Sequence, residues 1–272
     1  MLISEKTLKF EQNLWGSFKC MITVIYALFL RETFTLYGES RFGYVWVLLR
    51  DMLSVSFIIV IRYYLRRMYG WEGMDIVFYY LLGFVLFYIF TESVSKCIAA
   101  RKANKTILAF PHVTVIDVMI SRCLLVFITN IQAGLALSLI LYAVGFRLHI
   151  YDFSLFFYCL AATPLMAFTV GLFLSAVSDF YPVVEKIWNV FKMFLMLASG
   201  VIIPIERFPL PSGAMDMLAL NPLFQTIEGM RQSVSLRLYI FSHVDMLYLN
   251  VIILTTLILG LLIEQKSKFE DE

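Results

Sequence analysis

The stretch LASGVIIPIERFPLPSGAMDMLALNPLFQTIEGMR, Leu197 to Arg231, decides what kind of fold this chain can have. It leaves an apolar run through Pro204, carries Pro209 and Pro211, and turns at Asn221-Pro222 before a polar segment holding Glu228 and Arg231. Proline lacks a backbone donor and disfavours helix in the residue before it, so the stretch is cut into pieces too short to cross a membrane. Non-helical backbone survives at membrane depth only against protein or a water-filled cavity. Residues 204–240 are therefore expected to form short external re-entrant helices that dip into one leaflet and shape the mouth of a passage. An apolar loop lying on the outer surface is the alternative that these residues leave open.

The rest of the chain supplies the membrane. Its 272 residues are 61% hydrophobic and 15% charged, against roughly 45–50% apolar in soluble domains. At about 20 residues per span there is room for about six helical spans and no separate soluble domain. The expected architecture is an all-α membrane protein with spans at 44–64, 76–95, 118–145, 153–177, 186–203 and 244–263. No G-x-x-x-x-G-K-[ST] sequence occurs, so if ATP drives the protein a different chain binds it. The net charge of +2 gives no indication of nucleic acid. Cys20, Cys97, Cys123 and Cys159 have no metal-ligand spacing and read as small hydrophobes. His112, His149 and His243 are scattered near span ends, and no nucleophile motif frames a catalytic site.

In chain order, the apolar run Cys20–Leu30 is stopped by Arg31-Glu32, without the small residues of a signal-peptide cleavage site. Residues 20–42 are expected to form an amphipathic helix in the membrane plane, with Phe34, Leu36, Tyr37 and Phe42 on its apolar side. Arg50 and Asp51 near the inner end of the first span, and Arg62 near its outer end, are costly in lipid and must face protein or water. Glu92 in the second span can pair with Lys96. Arg101, Lys102 and Lys105 form the densest internal block of positive charge and are expected on the cytoplasmic side. Asn130 and Gln132 in the third span are read as interhelical packing groups, and Pro164 as a kink in the fourth. With Arg66, Arg67, Arg147, Arg207, Arg231 and Arg237 outside and every lysine at or near the inner face, both termini come out cytoplasmic. Because no G-x-x-x-G occurs, helix association is expected to rest on Ala, Ser, Thr and amide contacts.

Three motifs carry a resemblance. Ser199-Gly200-Val201-Ile202-Ile203-Pro204, followed by Asn221-Pro222, Glu228 and Arg231, resembles the last external segment of the ABC-2 family of exporter membrane subunits. Arg31-Glu32 with Ser40-Arg41-Phe42-Gly43-Tyr44-Val45-Trp46 resembles the amphipathic leading segment of that family's capsule polysaccharide exporters. Phe110-Pro111, then Val113-Thr114 and Asp117, is similar to the same subfamily's stretch before the third span. At Arg50-Asp51 the family often has an acid followed by proline, and this chain has no proline there.

The resemblance implies a transport subunit of the bacterial inner membrane, not an enzyme. It implies a homodimer with two ATP-binding subunits that hold the ATP and magnesium, with no cofactor or metal in this chain. The cargo implied is a lipid-linked acidic polysaccharide, with a periplasmic copolymerase and an outer-membrane export protein downstream. By position, Arg31, Glu32, Arg41 and Trp46 belong to a gate helix, and Arg101, Lys102, Asn104 and Pro111 to the region coupled to the ATPase. Pro204, Pro209, Asn221, Pro222, Glu228 and Arg231 shape the external segment. Arg50, Asp51, Arg62, Tyr63, Arg66, Arg67 and Trp71 are candidates for contact with glycan or lipid phosphate. The runner-up is an O-antigen or teichoic acid exporter of the same superfamily. An ion-coupled transporter would need inverted repeats and midplane acids, and neither is evident.

Overall fold

The computed structural model describes residues 2–37, 75–110, 113–202, 212–235 and 245–270, with 49, 52–53, 55–57 and 60–61 between them. Among the described residues every regular element is a helix. In chain order they are α1 (Leu2–Tyr37), α2 (Ile76–Ile98), the single turns α3 (Ala100–Ala103) and α4 (Lys105–Leu108), α5 (Val115–Val144), α6 (Phe153–Phe180), α7 (Val184–Ala198), α8 (Ser212–Ala219), α9 (Pro222–Val234) and α10 (Met246–Glu270). Four are long and apolar enough to cross a membrane: α2, α5, α6 and the Met246–Lys266 part of α10. They overlap the expected spans two, three, four and six. The expected first span lies largely outside the described residues.

The helix at the expected fifth span is shorter than expected. α7 has 15 residues, about 22 Å at 1.5 Å per residue, against a hydrocarbon core of about 30 Å. It stops at Ser199-Gly200, where Gly200 takes φ 65°, a left-handed conformation open to glycine and strained for other residues. The closing bonds run from Ser199 N–H to the Leu195 carbonyl (2.9 Å) and from Gly200 N–H to the Leu197 carbonyl (3.3 Å).

α2 is the axis of the molecule. Its most apolar window is 78% buried inside the protein, against 11% for α10. A helix apolar all round whose surface is covered by protein sits at a bundle centre, and one left bare faces lipid. α2 packs against α5, α6, α7 and α9, while α10 leans on α6 and α1 on α5. α10 turns Leu247, Val251, Leu254, Ile258 and Leu262 outward.

The close crossings are made by isolated glycines together with the expected Ser, Thr and amide contacts. A Cβ on Gly171 of α6 would stand 2.6 Å from Cys97 Cβ of α2. One on Gly260 of α10 would stand 3.0 Å from Leu172 of α6, and one on Gly134 of α5 3.0 Å from Val85 of α2. Each has a small residue four positions away (Ser175, Thr256 and Ser138), which is the small-x-x-x-small pattern that lets helix backbones approach. The Thr256 hydroxyl also bonds the Thr169 hydroxyl across the α10–α6 crossing at 2.9 Å. Asn130 is buried and donates to Glu92 of α2 at 3.4 Å, whereas Gln132 is exposed.

Local chemistry sets the helix ends. Thr114 and Asp117 form a capping box at the start of α5: Asp117 N–H donates to Thr114 Oγ1 (3.3 Å) and Thr114 N–H to Asp117 Oδ2 (2.9 Å). Asp152 caps α6 by accepting from Leu155 N–H at 3.0 Å. α1 begins well before the expected residue 20, because residues 2–19 contain no proline and many good helix formers. Along α1, Tyr26, Leu30 and Phe34 point outward, while Leu28 and Glu32 are turned into the bundle.

Candidate functional site at the two ends of the bundle

At the N-terminal end of α2 the organising element is α9. Asn221 starts it as N-cap, its Oδ1 accepting from Leu223 N–H at 3.1 Å, and Pro222 occupies the first turn, where a missing N–H costs nothing. The other half of the Asn221 amide donates to the Ala198 carbonyl (3.3 Å) and Ser199 Oγ (3.0 Å), which fixes α9 to the end of α7. At its far end the Ser233 carbonyl accepts from Tyr151 N–H (2.9 Å) and Asp152 N–H (3.1 Å), tying it to the turn before α6.

Between these anchors Arg231 is fully buried. Its Nη1 donates to Glu228 Oε1 at 2.5 Å, one turn back along α9, and to the Gly200 carbonyl at 3.1 Å. Its Nε donates to the Tyr79 carbonyl of α2 at 3.2 Å, and the guanidinium carbon lies 3.5 Å from the centre of the Tyr79 ring. Gly83, one turn on from Tyr79, leaves the space: a Cβ there would collide with Arg231 Nη2. A charge at zero exposure persists only when paired and hydrogen-bonded, and the planar fork of arginine serves several acceptors at once. One side chain thus joins α2, α9 and the turn that ends α7.

The opposite end of α2, about 25 Å away by helical rise from Tyr79 to Lys96, holds a second cluster. Arg31 of α1 donates to Asn104 Oδ1 at 2.6 Å, and Asn104, 1% exposed, returns its amide to the Ala100 carbonyl at 2.9 Å. Glu32 pairs with Arg122 of α5 at 3.0 Å, and Arg122 also donates to the Lys96 carbonyl at 3.3 Å. Arg101 of α3 bridges two carboxylates, Asp179 of α6 at 2.8 Å and Glu264 of α10 at 2.5 Å. Lys102 meets Glu185 at 3.5 Å in an exposed pair worth about 0–1 kcal/mol. Arginines and acids alternate through this cluster, so burial there is matched by pairing.

The structure therefore brings Arg31, Glu32, Arg101 and Asn104 together at one end of the bundle, and Asn221, Pro222, Glu228 and Arg231 at the other. Arg41, Trp46, Pro111, Pro204 and Pro209 lie outside the described residues, as does the whole expected substrate path of Arg50, Asp51, Arg62, Tyr63, Arg66, Arg67 and Trp71. Sequence reasoning did not supply the pairings: Arg122, Asp179 and Glu264 in the cluster at the C-terminal end of α2, and Tyr79, Gly83 and Gly200 in the one at its N-terminal end. The signal for Arg122 and Glu264 was their place at the edge of apolar runs, where a charge needs a partner. Nothing in the sequence marks Gly83.

With both ends placed, the similarities of the chain to known proteins have a structural setting. Residues 23–234 match the family described as ABC-2 type transporter. The chain belongs to the ABC-2 type transporter family. That match covers α2 to α9 whole and reaches back into α1 ahead of Arg31, so both clusters fall within it apart from Glu264. Among ABC-2 relatives, the polysialic acid transport protein KpsM of Escherichia coli is 27% identical over 249 residues, 90% of this chain and 94% of its own. The capsule polysaccharide export inner-membrane protein CtrC of Neisseria meningitidis serogroup B is 25% identical over 73% of this chain and 75% of its own. The capsule polysaccharide export inner-membrane protein BexB of Haemophilus influenzae is 26% identical over 76% of this chain and 77% of its own.

Proposed function

We propose that this chain is the membrane-spanning permease subunit of an ATP-driven exporter that moves lipid-linked capsular polysaccharide across the bacterial inner membrane. The observation that carries the reading is similarity along 90% of the chain to a polysialic acid transport protein, with a family match that takes in both clusters apart from Glu264. Two copies form the passage, and two ATP-binding subunits, which carry the nucleotide and magnesium, engage the inner faces. Six spans, cytoplasmic termini and re-entrant α8 and α9 complete the topology. A periplasmic copolymerase and an outer-membrane export protein receive the polymer. Arg31, Glu32, Arg41, Trp46, Arg101, Lys102, Asn104 and Pro111 serve the inner gate and its coupling. Pro204, Pro209, Asn221, Pro222, Glu228 and Arg231 serve the external opening, and Arg50, Asp51, Arg62, Tyr63, Arg66, Arg67 and Trp71 contact the cargo.

The bundle supports this division of labour. Arg231 supports a rigid outer cap, because its guanidinium bonds α2, α9 and the turn that follows α7. The inner cluster supports a transmitting end, because it links five separate helices through ionic and amide contacts. The test is deletion of the chain in its host. The expected result is loss of surface polysaccharide with accumulation of the lipid-linked, acidic polymer in the cytoplasm, restored by complementation. Unchanged surface polysaccharide would sink the reading, and accumulation of an O-antigen or teichoic acid polymer would move it to that cargo.

A further inference from the structure

The C-terminal helix ends in a contact that the family match does not reach. Glu264 lies only a few residues before the end of α10, yet its side chain is 3% exposed and one oxygen is 2.5 Å from Arg101 Nη2. Its other oxygen, Oε1, is buried with no hydrogen-bond donor. Desolvation of that carboxylate is therefore offset chiefly by Arg101. Asp179, at the last turn of α6, takes the Nε side of the same guanidinium at 2.8 Å. Without Arg101, two acids from two helices would face each other across the same gap.

We infer that Glu264 and Asp179 are positioning residues that clamp Arg101, so that the basic α3–α4 segment and the inner ends of α6 and α10 move as one body. This rests on the proposed function, in which that segment receives the push of the ATP-binding subunit. The clamp has a counterpart on the other flank. Arg31–Asn104 holds the same segment to α1, and Glu32–Arg122 holds α1 to α5. Displacement of the segment is thereby delivered to both sides of the bundle, and the route to α10 runs through Glu264. The geometry suits transmission: one guanidinium, hydrogen-bonded to Glu264 and in ionic contact with Asp179, ties α3, α6 and α10 at a single point.

The experiment uses the full chain co-purified with its ATP-binding subunit, and compares wild type with Glu264→Gln, Arg101→Glu and the exchange Arg101→Glu/Glu264→Arg. ATP hydrolysis is measured on the complexes and surface polysaccharide on the cells that express them. Glu264→Gln keeps shape and assembly, so ATP hydrolysis persists while surface polysaccharide per ATP hydrolysed falls about fivefold or more, the scale of a typical coupling energy. Arg101→Glu places three acids together and loses export. The exchange rebuilds one arginine between two acids and restores it, which a role in folding alone would not achieve for the ratio. Glu264→Gln with a wild-type ratio, or an exchange no better than Arg101→Glu, overturns the clamp. If instead the wild-type complex neither assembles nor hydrolyses ATP, the proposed function fails and the clamp falls with it.

Discussion

Arg231 is the residue whose environment is most completely specified. Its charge, its planar shape and its two main-chain acceptors are all used, and Gly83 is the vacancy that admits it. Gly83→Ala is therefore expected to destabilise the protein by about 1–3 kcal/mol, the range for overpacking a filled core. The check is the thermal unfolding midpoint of the purified protein in detergent, and an unchanged midpoint would remove Gly83 from this role. Gly200 carries a different demand, because its φ of 65° penalises any side chain. Gly200→Ala should cost about 1–2 kcal/mol, read by the same melt. Arg231 and Glu228 stood out in the sequence as the charges of a short polar segment, and their pairing came from the structure. That Tyr79 and Gly83 receive the guanidinium was not legible, because Tyr79 stands 152 positions earlier and nothing local advertises an incoming guanidinium.

Among the elements, α5 shows how a short motif fixes a long helix. The Thr114–Asp117 box satisfies donors at the first turn of a 30-residue helix, and Gly145 at φ 109° closes its other end. Thr114→Ala should remove about 1 kcal/mol of local stability. Faster hydrogen exchange at Asp117 and its neighbours, with the middle of α5 unchanged, is the expected result. α7 carries the opposite lesson. An apolar run from Lys186 to Ile203 has span length in the sequence, but the helix ends at Ala198 because the backbone at Gly200 reverses to offer its carbonyl to Arg231. The stop signal, Gly200, lies in the run itself, but the partner that its carbonyl meets is on another helix and no reading of the run could have found it.

For the whole molecule, orientation is the property that charge placement predicts and that labelling can test. With Cys20 replaced, Arg147→Cys in the turn after α5 should react with an impermeant maleimide from the periplasmic side. Lys186→Cys, exposed on α7, should react only in inverted vesicles. The reverse pattern would invert the topology and exchange the roles of the two clusters. Composition and the spacing of apolar runs by themselves determined that this is an all-helical chain rich in apolar stretches, and roughly where the four helices long and apolar enough to cross a membrane run. Those properties are local, since burial in lipid depends on how apolar each consecutive stretch is. Only the tertiary structure decided that α2 is the axis, that single glycines set the crossings, and that Arg231, Arg101 and Arg122 each bind across helices. Buried charges take their partners from distant parts of the chain, and which parts meet is fixed by packing rather than by spacing along the sequence.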